Sequence, residues 1–225
     1  MFLLIFTGIG MDGSVCAAGG GGKTLHEVLS IYGEQAEAKL SPRFRFVGIE
    51  WPPEEIRLVA IKDSRLMELW ARSGGPWRHV RNYPIKGMSG VAGPKLKEGD
   101  LQVPEGLYRI ALLNPNSAFH LSLKLDYPNA FDRDMAALEG RRNLGGDIFI
   151  HGNRVSKGCL AMGDRAIEEL FVLTAAVGKE RVSVLISPHD FRLPQSPSPS
   201  TLAQADWHLQ LYRFIAEEMA HFQEH

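Results

Sequence analysis

The sequence predicts a mainly β domain with flanking helices. Between residues 43 and 125 it breaks into six short runs of β-type composition separated by turn signals. That pattern argues for a curved sheet, a sandwich or a barrel and against a doubly wound fold. Helical spacing is confined to a segment near the N terminus, one after residue 164, and the C-terminal end.

In chain order, residues 1–18 form an apolar run, too short to span a membrane, that ends in Cys16-Ala17-Ala18 and reads as a leader peptide. Residues 19–42 read as a Gly-rich tether and an N-terminal helix. The helix should cover 24–38, because the box Thr24-x-x-Glu27 opens it and Leu25, Val28, Leu29 and Tyr32 recur at helical spacing. Residues 43–187 form the body. Strands are expected at 43–49, 56–61, 65–70, 77–83, 107–113 and 119–125, with turns at Lys62-Asp63-Ser64, Ser73-Gly74-Gly75-Pro76 and Asn114-Pro115-Asn116. Alternation in the last of these strands puts Phe119, Leu121, Leu123 and Leu125 on one face and His120, Ser122 and Lys124 on the other.

A strand at 147–150 should end at His151. A helix from about Asp164 carries Ile167, Leu170, Phe171 and Thr174 on one face and stops at Gly178, and 182–186 is a further strand. Residues 188–225 read as an extended Ser/Pro linker to Pro199 and a terminal helix opened by Thr201-x-x-Gln204. Its stripe of Trp207, Leu211, Phe214, Ile215 and Phe222 should dock on the domain.

At 225 residues and 44% hydrophobic content the chain can bury one ordinary core. A formal net charge of −1, with both signs spread along the chain, provides no basic field for nucleic acid, which is not expected as a partner. No stable membrane span is expected. The two cysteines are Cys16 and Cys159, so removing the leader leaves one thiol and no intramolecular disulfide. Metal-ligand spacing is absent, with no His-Glu-x-x-His and no paired cysteines. The run Gly22-Lys23-Thr24 mimics the end of a P-loop, but Ala17 stands where its first Gly belongs, and a tether followed by a capped helix explains it. Gly87-Met88-Ser89-Gly90 falls short of a nucleophile elbow.

The informative stretch is Ile148-Phe149-Ile150-His151-Gly152-Asn153-Arg154-Val155-Ser156-Lys157-Gly158-Cys159. A β-run delivers a His, a Gly-containing loop turns back, and a Cys follows eight residues later. Such a loop can fold a thiol onto an imidazole, and Arg141, Arg142, Arg154 and Lys157 against Asp147 make the region locally basic, which favours thiolate. By spacing alone, a structural turn around a buried Cys is an equally good reading.

The stretch resembles the L,D-transpeptidase catalytic domain (YkuD type), whose signature pairs Ile-His-Gly with a downstream Ser-His-Gly-Cys. Two further runs are similar to its YafK-like branch: Gly93-Pro94-Lys95, continuing through Glu98-Gly99-Asp100 to Pro104-Glu105-Gly106-Leu107-Tyr108-Arg109-Ile110, and Asp126-Tyr127-Pro128-Asn129. The resemblance covers roughly residues 55 to 187 and implies a closed or nearly closed sheet. It implies that Cys159 attacks an acyl carbon of a peptidoglycan stem peptide, that His151 is its base, and that the Gly152 carbonyl orients the imidazole. The thioester oxyanion would be held by backbone N–H groups, with Gly158 and Cys159 as the candidates.

The sequence departs from the family at Lys157, which replaces the second His, and at Ala161, where an Arg often follows the Cys. Lys157 or Arg154 is therefore expected to meet substrate carboxylates, and Ser156, Gly158, His120 and Tyr127 are further candidates for substrate contact. Asn129 belongs to a turn signal first of all. No metal or organic cofactor is implied. The expected protein is an exported, monomeric enzyme of the periplasm or cell envelope. Hydrolysis of stem peptides and a wall-binding domain without turnover are the alternatives.

Overall fold

The computed structural model describes residues 22–223. The leader reading, Cys16 and the first part of the tether lie outside them. Eight strands form one mixed sheet: β1 (Glu55–Ile61), β2 (Leu66–Arg72), β3 (Arg78–Pro84), β4 (Gly106–Ser117), β5 (His120–Leu125), β6 (Phe149–His151), β7 (Leu160–Ala161) and β8 (Val182–Ser187). Their order is β3-β2-β1-β8-β4-β5-β6-β7. Just past β3 the chain returns to the opposite edge. Lys86 N–H donates to the Ala161 carbonyl at 2.8 Å, and Ala161 N–H donates to the Gly87 carbonyl at 2.8 Å. That bridge joins the two edges of the sheet, which is therefore nearly closed.

Among the described residues, five α-helices flank it: α1 (Leu25–Phe46), α2 (Ala130–Leu138), α3 (Asp164–Val177), α4 (Pro199–Leu202) and α5 (Asp206–Met219). Strand β1 is buried on both faces and separates two cores. Ile56, Leu58 and Ala60 pack with Leu40 and Phe44 of α1 and Ile167, Leu170 and Phe171 of α3. Val59 and Ile61, with Trp70 and Leu185, pack under Leu211, Ile215 and Met219 of α5. Among the described residues, no helix is long and apolar enough to cross a membrane.

Helix α1 begins at the expected box, where Thr24 Oγ1 accepts from Glu27 N–H and the Glu27 carboxylate accepts from Thr24 N–H. It does not stop near Ala38, and the strand expected at 43–49 does not form. The alternation Arg43-Phe44-Arg45-Phe46 reads as period two, but Phe44 extends the buried series Ala36–Leu40–Phe44 at four-residue steps while Phe46 stands 92% exposed. The burial available to that stripe decides the conformation, and Arg43 and Arg45 in the last turn suit its dipole. The helix thus crosses the boundary expected at 42/43.

Helix α2 was not expected. Tyr127-Pro128-Asn129 leads into it, with Asn129 Oδ1 accepting from Asp132 N–H at 3.0 Å and the Asp132 carboxylate accepting from Asn129 N–H at 2.9 Å. Residues 188–198 are not an extended linker. Arg192 bridges Glu68 on β2 and Asp190 at 2.7–2.9 Å and also donates to the Phe222 carbonyl, so side-chain charge ties down a segment whose Ser/Pro composition reads as free. The terminal helix opens at Asp206, not at Thr201, and a short turn capped by Ser198 precedes it. Phe214 is 40% exposed and leaves the docked stripe, where Tyr212 and Met219 take part instead.

Candidate active site

Strand β6 delivers His151 and β7 follows Cys159 directly, so parallel pairing of these strands folds the intervening loop back on itself. Gly152 is where the loop leaves the sheet. A Cβ there would lie 2.6 Å from the Phe119 carbonyl oxygen and 2.7 Å from Asp164 Oδ1, so only glycine allows this approach. Asp164, at the start of α3, then takes the Asn153 N–H at 2.7 Å. At the far end Gly158 turns with φ +84°, a conformation glycine adopts without strain.

His151 is buried, and its Nδ1–H donates to the Gly152 carbonyl at 2.6 Å, which leaves Nε2 as the basic nitrogen. The Phe119 ring packs 4.7 Å from the imidazole. Phe119 therefore covers the His151 side and does not share the core face of Leu121 and Leu123. The half-buried Cys159 thiol accepts the Phe149 N–H at 3.4 Å and donates to the Asp147 carbonyl at 3.6 Å. Both side chains line one cavity of about 190 Å³, together with Asn114, Phe119, Ser122 and Phe149.

Thiol and imidazole share this cavity without a hydrogen bond between them. Burial pushes the Cys159 thiol above its ordinary range; the Phe149 N–H and Lys95 oppose this, and Asp147 adds to it. Burial likewise holds His151 below the ordinary imidazole range, against the Gly152 hydrogen bond. Both shifts favour the neutral thiol and the neutral imidazole. Burial outweighs nearby charge at the thiol, and of the expected basic cluster Arg141 is taken up by Glu139 at 2.6 Å.

The structure brings together only part of the expected site. Cys159, His151 and Gly152 converge as above. Ser156 binds the backbone of Cys159, and its hydroxyl is committed there. The expected oxyanion donors are also committed: Gly158 N–H donates to Ser89 Oγ at 2.7 Å and Cys159 N–H to Ser156 Oγ at 3.0 Å. His120 points away to Glu168 on α3 at 2.8 Å, and Tyr127 is buried with its hydroxyl on the Leu144 carbonyl at 3.2 Å, so neither lines the cavity. Lys157 and Arg154 are exposed. Arg154 lies instead on a larger groove of about 980 Å³ shared with Lys39, Arg43, Arg81 and Glu169, and the thiol is not part of it.

Sequence reading missed Asn114, Ser122 and Lys95. Asn114, Ser122, His151 and Ala161 are paired successively across β4, β5, β6 and β7, forming one rung. Only the polar side of the β5 alternation hinted at Ser122. Lys95 is buried in an ion pair with Asp100 at 2.6 Å, and its charge weakly opposes the upward shift of the thiol.

A nearly closed mixed sheet that sets a cysteine and a histidine on one cavity defines a class of domain with the means for thiol chemistry. Residues 55–184 match the family model of the L,D-transpeptidase catalytic domain, YkuD, and the chain belongs to that family. It is 34% identical over 141 residues to YafK of Escherichia coli strain K12, which is provisionally named an L,D-transpeptidase; the match covers 61% of this chain and 55% of that protein. The chain thus spans about half the length of the curated relatives it matches. Among solved structures it is similar to the helical cell shape determining protein Pgp2 from Campylobacter jejuni, with a TM-score of 0.50 at 22% identity over 60% of this chain and 48% of that one. The K307A mutant of Pgp2 matches at a TM-score of 0.50 and 20% identity over 75% of this chain and 55% of that one. At these identities the likeness shows the fold alone.

Proposed function

We propose that the chain performs cysteine-dependent acyl transfer on peptidoglycan stem peptides in the cell envelope, through a thioester on Cys159. The observation that carries this reading is the shared cavity of Cys159 and a His151 whose tautomer is set by the Gly152 carbonyl. Burial favours the neutral form of both groups, so proton transfer accompanies attack: His151 Nε2 takes the thiol proton as Sγ bonds to the carbonyl carbon. The amine of the leaving residue then takes that proton, and the thioester is resolved by an acceptor amine. The scissile carbonyl is assigned to diaminopimelate on the family resemblance. Arg154 and Lys157, exposed beside the loop, are proposed to meet free carboxylates of the stem.

The test is mass spectrometry of the protein with tetrapeptide muropeptide, alone and with added amine. An adduct on Cys159, absent in Cys159→Ala, and a new amide that grows with amine concentration are expected. Shortened products only, at saturating amine, would make it a hydrolase. The raised thiol pKa favours a second reading, a wall-binding domain without turnover. Binding of muropeptide with no adduct would establish that one.

A further inference from the structure

Ser122 is 1% exposed, and among the described residues its Oγ is one of four buried side-chain polar atoms without a hydrogen-bond partner. The other three belong to Arg81, Glu105 and Thr174, none of which lines the Cys159 cavity. Native folds rarely leave a buried hydroxyl unpaired, and an exception in a cavity beside a nucleophile calls for a use. Ser122 stands directly opposite His151 across the antiparallel β5–β6 pair, so both side chains leave the same face of the sheet. The two N–H groups expected to meet a developing oxyanion, those of Gly158 and Cys159, donate to Ser89 and Ser156.

We infer that Ser122 is a further catalytic residue, whose Oγ–H donates to the acyl oxygen of the substrate as Cys159 attacks. The inference rests on the acyl-transfer reading. In the step, Sγ bonds to the carbonyl carbon and the S–H proton passes to His151 Nε2. The C=O π pair moves onto oxygen, where the Ser122 O–H stabilises it. The pair then returns, the C–N bond breaks, and the leaving amine takes the proton from His151. A hydroxyl that makes no bond in the resting protein has a donor to spend on this charge without first breaking a contact.

The experiment compares the wild type with Ser122→Ala, following Cys159 acylation by tetrapeptide muropeptide by mass and Cys159 alkylation by iodoacetamide. Alkylation forms no oxyanion and reports thiol access and basicity alone. The expected result is acylation slowed about 10²-fold with alkylation unchanged within about twofold. Ser122→Thr, which keeps the donor, should acylate within about fivefold of wild type, and Ser122→Gly, which also removes the hydroxyl, stands in should the Ala variant fail to fold. Equal acylation in wild type and Ser122→Ala overturns the assignment alone, as does a parallel loss of alkylation. A wild type that alkylates at Cys159 but is never acylated overturns the acyl-transfer reading and the assignment with it.

Discussion

The Ser156 hydroxyl holds Cys159 by both ends of its backbone, accepting its N–H at 3.0 Å and donating to its carbonyl at 2.7 Å. This small ring closes the turn around Gly158 and sets the direction of the thiol. Ser156→Ala removes two hydrogen bonds at a half-buried site and should lower stability by roughly 1–2 kcal/mol. Cys159 acylation should slow more than muropeptide affinity weakens, because the thiol loses its orientation while the cavity wall remains. Single-turnover mass kinetics beside a binding titration would check this; an unchanged acylation rate counts against it.

The opposite shifts of Cys159 and His151 make a prediction about pH. With the thiol raised and His151 lowered by burial, thiolate forms only as the solution removes the thiol proton. Iodoacetamide alkylation of Cys159 should rise about tenfold per pH unit between about pH 6 and 8. A plateau across that range would reveal a preformed thiolate–imidazolium pair and reject the prediction.

The lowered His151 pKa also bears on acid stability. A His whose folded pKa lies below its unfolded one contributes stability that is fully present above the unfolded value of about 6.5. That contribution is lost as the pH falls through the folded value, since the unfolded chain then binds the proton more readily. Melting temperatures of wild type and His151→Asn should converge below pH 6; parallel curves would show that His151 is not the linked group.

Gly152→Ala should damage the fold as well as the site, because the new Cβ meets backbone at Phe119 and the Asp164 carboxylate that holds Asn153. Overpacking of this kind costs about 1–3 kcal/mol. The melting temperature should fall and iodoacetamide reactivity at Cys159 should change together. A variant as stable as wild type would mean that the loop yields easily.

Arg192→Ala tests the C-terminal segment. Its loss leaves Glu68, 8% exposed, without its charge partner and frees the Phe222 carbonyl. Stability should fall by roughly 2–4 kcal/mol in urea denaturation, more than an exposed pair provides. A change within about 0.5 kcal/mol would return residues 188–198 to the status of a free linker.

Local pattern alone was enough for much of the frame. The β-type runs of β1, β2, β4 and β5, the run from Asp164 to the Gly178 stop, and the Thr24–Glu27 box are each written in adjacent residues, because strand and helix propensities and cap chemistry act over a few positions. The His151–Cys159 spacing and the motifs around it named the family before any packing was known. Where two periods fit the same letters, as at 43–46, or where a cap resembles a turn, as at Asn129, the letters could not choose.

Tertiary structure decided the rest of the site. The shift of the thiol depends on burial, whether Gly158 and Cys159 N–H are free depends on Ser89 and Ser156, and Ser122 stands opposite His151 only through strand register. Likewise Arg192 holds the C-terminal segment only because Glu68, 124 positions earlier, lies beside it. The physical reason is range: periodicity and capping are properties of neighbours along the chain, whereas desolvation, charge pairing and cross-strand register exist only once distant segments have met.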